Sequence, residues 1–210
     1  KIQPIIPSFI RSKNAEVLNA TGRLVSELGI KDVISEQTQL FLNHPNSKVR
    51  GGQLTSLINL KDVNLPLLIQ KGMEDTSRSV RSLAMGSLDK IAISKAQLPA
   101  LVNPIFEKGT VNEQQQVLQS MGKMEPANTS DVLADLIARM LQGKLPAGIK
   151  LDLMEAVEAT KSDMLIAKLD ALKVKGSLTD EYKDALYGGN LQAGNFIFNR
   201  NFLSVNRIAI

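Results

Sequence analysis

At 210 residues the chain is long enough to bury a substantial core, and it has no Cys and a single His, which excludes disulfides, thiolate metal sites, thiol nucleophiles and cysteine-attached haem. Its net charge of +4 comes from 25 basic and 21 acidic residues spread without a Lys/Arg run. With no Trp and 4% aromatic residues it lacks the clustered, aromatic-interleaved basic stripe of a nucleic-acid binder, and no apolar run approaches the roughly 20 residues of a membrane span.

Pro4 and Pro7 predict an irregular start. Val17, Leu18, Leu24, Val25 and Leu28 then recur at helical spacing, closed by Gly29. A partner helix is expected from Asp32 to Leu42, followed by a turn at His44-Pro45-Asn46. The second pair is expected over 47–60 and 64–73. In the third, Val80, Leu83, Ala84, Leu88 and Ile91 form one stripe of a single α-helix, with Val80 and Leu83 buried between repeats. Its partner is placed over 94–106, with Pro104 near its end, and Gly109 breaks the chain. Helices follow over 113–124, 130–141, 149–159, 162–174 and 179–187, the last stopping at Gly188-Gly189-Asn190. No period-2 alternation competes for a strand.

These segments repeat. Val49-Arg50 and Val80-Arg81 lie 31 positions apart, and the flanking residues keep the register. Ile30-Lys31-Asp32-Val33 answers to Leu60-Lys61-Asp62-Val63 at nearly the same interval. A period in the thirties with helical patterning predicts an all-α solenoid, a right-handed α-α superhelix of about five helix pairs. Val49 and Val80 are expected to face the core. Asp75, in the turn before Arg81, is placed to meet an Arg of its own or the adjacent repeat, as a structural lock worth about 0–1 kcal/mol if exposed. Two helices per unit, an Asp-containing turn and Val-Arg opening the first helix resemble HEAT repeats. The fourth unit, Val111-Asn112-Glu113, has no Arg in that slot.

From Leu141 onward the markers are more distinctive. They are Gln142-Gly143-Lys144-Leu145-Pro146, Leu151-Asp152-Leu153-Met154-Glu155-Ala156, Leu186-Tyr187-Gly188-Gly189-Asn190 and Ala193-Gly194-Asn195-Phe196-Ile197-Phe198. This ordered series is similar to bacterial multidomain dehydrogenases that join a quinoprotein glucose/sorbosone-type β-propeller, a HEAT-like solenoid and a C-terminal c-type cytochrome. The resemblance implies a solenoid over 1–190 and, over 191–210, a short helix and tail like the start of a cytochrome. It also implies a periplasmic or cell-surface setting. In that family a Cys-x-x-Cys-His motif follows the Gly-x-x-Ile/Leu-Phe opening by about ten residues. Here the corresponding positions are Val205, Ile208 and Ala209, which offer neither thiols nor an imidazole, so no haem and no other cofactor is expected. Either the haem site was lost or removed, or the solenoid stops at a vestigial cytochrome start.

No catalytic or metal-ligating set is expected. His44 reads as a turn residue, and Glu155 and Glu158, three apart on a helix, read as solvated surface. Gln114-Gln115-Gln116 reads as polar surface, Gly51-Gly52 as a close helix contact and Gly188-Gly189 as a helix cap. Met121, Met124, Met140 and Met154 read as core. Three functions are weighed. The first is a non-catalytic scaffold within a dehydrogenase–cytochrome system, with a propeller or cytochrome as neighbour. The second is a generic HEAT adaptor gripping another protein in its concave groove. The third, a HEAT-type enzyme on DNA, is disfavoured by the missing basic stripe and Trp.

Overall fold

The structure is a computed structural model that describes residues 5–174, with side chains to residue 170. The short helix α1 (Ile6–Phe9) is followed by five pairs: α2 (Ala15–Glu27) with α3 (Ile34–Asn43), α4 (Ser47–Leu60) with α5 (Leu65–Met73), α6 (Arg78–Met85) with α7 (Leu98–Lys108), α8 (Val111–Met121) with α9 (Pro126–Leu141), and α10 (Lys150–Ala159) with α11 (Asp163–Val174). The described residues contain no strand. The first helices pack in succession, α2 on α4, α4 on α6, α6 on α8 and α8 on α10. Each second helix also lies against the first helix of the next pair, as α3 does on α4 and α5 on α6. This is the stacked helical-repeat architecture that the 31-residue period predicts. The expected helix 179–187, the turn Gly188-Gly189, the segment 191–198 and Val205, Ile208 and Ala209 lie outside the described residues.

Local chemistry starts the helices, α4 at the expected residue and α8 and α9 two and four residues earlier than expected. Asn14 and Asn46 accept backbone N–H bonds at the starts of α2 and α4. Thr110 and Glu113 form a reciprocal capping box at the start of α8. Pro7 sits in the first turn of α1 rather than in irregular chain, because its fixed φ and missing N–H suit that position. The stripe from Val80 to Ile91 is not one helix. α6 stops at Met85, a 3-10 turn covers Leu88–Lys90, and Ile91 is extended with φ −117° and ψ 148°. The break falls at Gly86-Ser87, where glycine costs about 1 kcal/mol in a helix interior. Ser87 N–H bonds the Ala84 carbonyl, three residues back, at 3.1 Å, which tightens the turn. Val80, Ala84, Leu88 and Ile91 stay buried across the break, while Leu83 is only half-buried. The partner helix α7 begins at Leu98, four residues later than expected, with Pro99 in its first turn, and Pro104 lies inside it.

One apolar cluster runs from Phe41 to Leu169 through all five pairs. A smaller one at the N-terminal end joins Ile6 and Ile10 to Val25, Ile30, Val33 and Leu60, so α1 closes the open face of the first pair. Met121 is fully buried, and Met124, Met140 and Met154 pack against the main cluster. Glycine permits a close helix approach at Gly72, where a Cβ would stand 2.8 Å from the Ala84 Cβ and 3.0 Å from Leu54 Cδ2. Of Gly51-Gly52, Gly52 faces α2, where a Cβ would collide with Asn19. Gly51 has ordinary van der Waals room beside Val80 and Leu83.

Candidate functional site: a ladder of polar locks between repeats

The polar residues that repeat in the sequence meet at the turns between repeats. Arg50, in the first turn of α4, forks onto Asp75: Nε donates to Oδ2 and Nη2 to Oδ1, both at 2.8 Å. Its Nη1 donates to the carbonyls of His44 at 2.8 Å and Pro45 at 3.0 Å. Asp75 belongs to the next repeat, where it also accepts Ser77 N–H at 2.7 Å and so helps start α6. Of the two partners open to Asp75, the structure selects the Arg of the preceding repeat.

Arg81 repeats the arrangement one unit on. Its Nη1 donates to the carbonyls of Asp75 at 2.9 Å and Thr76 at 3.2 Å. Its Nε donates to Glu113 Oε1 at 2.8 Å, and Glu113 belongs to the capping box of the following repeat. Asp75 and Glu113 occupy different positions relative to their helices but play the same part. Each places a carboxylate at the start of the next first helix, in reach of the previous repeat's guanidinium.

The third rung is Gln114. Ser56, Ser87 and Ser120 are buried at matching positions, and Arg50, Arg81 and Gln114 each precede one of them by six residues. Gln114 Nε2 donates to the Gly109 carbonyl at 3.1 Å, five residues back, as Arg50 does to Pro45 and Arg81 to Thr76. The fourth unit therefore keeps the contact with an amide in place of the guanidinium. It hides from a 31-residue alignment because Ser87 and Ser120 lie 33 apart. The buried serines were the available signal. The glutamine run is accordingly not polar surface. Gln114 is buried, Gln115 Nε2 donates to the Gly148 carbonyl at 3.0 Å, and Gln116 is half-buried.

Two of these serines, Ser56 and Ser120, tie helix to helix. Ser56 Oγ donates to the Gly22 carbonyl at 2.7 Å and accepts from Gln37 Nε2 at 2.7 Å, joining α2, α3 and α4. Ser120 Oγ donates to the Met85 carbonyl at 2.8 Å, joining α8 to α6. Gln53 Nε2 reaches the Leu18 carbonyl at 2.9 Å. These bonds favour one register between neighbours, since a slip along the stack would break them, although the Oε1 atoms of Gln37, Gln53 and Gln114 are buried without a partner.

The Arg50–Asp75 pair is not a surface pair. Its side chains are 11% and 9% exposed, against 28% and 11% for Arg81 and Glu113. The hydrogen bond to Asp75 raises the Arg50 pKa above its already high value. The Arg50 bond, aided by Ser77 N–H, holds the Asp75 carboxyl below the usual carboxylate range against its burial. Burial pushes the Glu113 carboxyl up, but bonds from Arg81 and Thr110 outweigh it and leave the carboxyl lowered. Both carboxyls are depressed in the folded state, so their stabilisation is complete above the ordinary range near about pH 4 and is lost as pH falls through the lower folded values. Acid titration followed by circular dichroism is expected to show helix loss below about pH 4 that becomes shallower in Asp75→Asn/Glu113→Gln. An acid limb unchanged by that double substitution would contradict the ladder.

The remaining sequence candidates are dispersed. His44 sits half-exposed in its turn, with Nδ1 accepting Asn46 N–H at 3.1 Å, the bond that Asp75 makes one repeat later. Glu155 and Glu158 are exposed, and Glu155 lines a groove of 360 Å³ between α8 and α10 with Asp152 and Lys123. Among the described residues no group of three or more His, Asp or Glu side chains is placed to hold a metal ion. Nor is any helix there long and apolar enough to cross a membrane. Val49 and Val80 face the core beside the two arginines.

No protein-family model and no curated protein matches the chain.

Proposed function

We propose that the chain is a non-catalytic helical-repeat scaffold that holds neighbouring protein domains at a set spacing. The setting proposed for it is an extracytoplasmic dehydrogenase–cytochrome electron-transfer system. The observation behind the scaffold role is the ladder itself. Arg50, Arg81 and Gln114 brace successive inter-repeat turns, and the two arginines also reach carboxylates of the next repeat, which makes the stack stiff rather than hinged. Five first helices at 8–10 Å spacing span roughly 32–40 Å, a distance suited to separating two domains. The redox setting draws on the marker series from Leu141 to Phe198. A second reading, an adaptor that grips another protein, draws on the grooves between repeats.

The test uses the chain in its natural sequence context. A propeller dehydrogenase before it and a c-type cytochrome after it are the expected neighbours. Within that protein, Arg50→Ala is expected to slow cytochrome reduction while leaving dehydrogenase activity toward a soluble dye unchanged. Equal cytochrome reduction would refute the spacer role. Flanks without a redox domain would leave the adaptor reading.

A further inference from the structure

The connection between α6 and α7 differs from its counterparts. Where Lys61–Asn64 suffices between α4 and α5, Gly86–Gln97 intervenes here, because Gly86-Ser87 ends α6 early and Pro99 starts α7 late. Within it the chain alternates like a strand, with the Ile91 and Ile93 side chains buried and Ala92 exposed between them. Ile91 has extended dihedrals. The backbone N–H and C=O groups of Ala92 and Ile93 make no hydrogen bond to any described residue, whereas Ser94 N–H is taken up by Gln97 Oε1 at 3.1 Å. An extended backbone with unpaired groups is the feature to which a peptide adds as a further strand.

These residues form one wall of a groove of 600 Å³. The opposite wall is the turn from α8 into α9, with Lys123, Glu125 and Asn128, and Asp89 of the 3-10 turn also lines the groove. Asp89 Oδ1 is buried without a hydrogen-bond partner. Two carboxylates against one ammonium give the groove an excess of negative charge within a chain of net charge +4.

We propose that Ile91–Ser94 is a docking edge for an extended segment of a partner protein, with a basic side chain directed at Asp89 and Glu125. Main-chain pairing to Ala92 or Ile93 supplies affinity, and the carboxylates select Lys or Arg over acidic residues. The proposal names a partner chemistry for the scaffold reading and rests on it. Failure here would leave the cytochrome-reduction test untouched.

The probe is an octapeptide alternating Val and Thr around one central Arg, titrated into the full chain by fluorescence anisotropy, with amide hydrogen exchange as the second readout. Binding is expected to slow exchange at one of the two amides, Ala92 or Ile93, since consecutive N–H groups of an extended chain point to opposite edges. N-methylating alternate peptide amides is expected to weaken binding at least about tenfold, and a central Glu at least about fivefold. Asp89→Asn, a conservative change in the 3-10 turn, should erase most of the Arg-over-Glu preference while the peptide still binds. Absence of binding, equal binding of the N-methylated peptide, or protection appearing elsewhere would overturn the proposal. So would Ala92 and Ile93 amides already protected in the free full chain, since the edge would then be occupied by a segment of the chain itself.

Discussion

Replacing Asp75 with Ala is expected to lower the unfolding free energy by about 3–5 kcal/mol, the loss typical when one member of a buried ion pair is removed. The Arg50 side chain is only 11% exposed, and two of its donors point at Asp75 at 2.8 Å. Without the carboxylate a charged guanidinium stays in a site that water barely reaches. Asp75→Ala also removes the acceptor for Ser77 N–H, so the start of α6 frays at the same time. Glu113→Ala should cost less through its ion pair, because Arg81 is 28% exposed and can turn to solvent. Hydrogen exchange under native conditions is the suitable readout, since a repeat stack opens regionally and one global transition need not describe it. Faster opening of α4 and α6 is expected, with α10 and α11 much less affected. A loss below about 1 kcal/mol would place the pair among ordinary surface bridges. Replacing both partners, as Arg50→Met/Asp75→Leu, should recover part of the loss, because apolar isosteres remove the stranded charge.

The second large effect is expected from Phe41→Ala, at about 3–5 kcal/mol. Phe41 lies on α3 with 2% of its surface exposed, and its ring tip comes 3.7 Å from where a Gly72 Cβ would stand. The ring tip therefore packs at ordinary van der Waals distance from the space that Gly72 leaves open as α5 passes α6. The cost depends on how far neighbours of the main cluster, such as Leu54, relax into the vacated volume. Equilibrium unfolding in urea measures the loss. A change under about 1 kcal/mol would mean that the junction of α3, α4 and α5 relaxes freely. Leu83, which the stripe in the sequence marks as a core residue, should be milder than Phe41, since it is half-buried beside Gly51.

Elements whose signals are local were legible from residue order. The turn at His44-Pro45-Asn46 marked the start of a helix expected over 47–60, and α4 lies at Ser47–Leu60. Gly29, with φ +65°, closes the first helix because glycine tolerates that backbone conformation. The Val80–Ile91 stripe was half legible. Its residues are buried as the period requires, except Leu83, but periodicity does not register that Gly86-Ser87 can substitute a 3-10 turn for another turn of α-helix. The segment 191–210, for which no haem is expected, lies outside the described residues.

The candidate site divides in the same way. The sequence by itself determined that the chain is a stack of helix pairs and that Val49, Arg50, Val80 and Arg81 hold equivalent places, because a 31-residue period is a property of residue order. Only the tertiary structure decided that Asp75 pairs with Arg50 and that Arg81 passes over it to reach Glu113. It also showed that Gln114 takes the third rung and that Ser56 and Ser120 cross from helix to helix. Apart from Gln114 and Gly109, five residues apart, these partners are 25 to 35 residues apart. Which of them meet depends on how far each repeat is shifted and turned on its neighbour, and that is set by side-chain volumes across the interface, such as the absent Cβ of Gly72, rather than by any spacing along the chain.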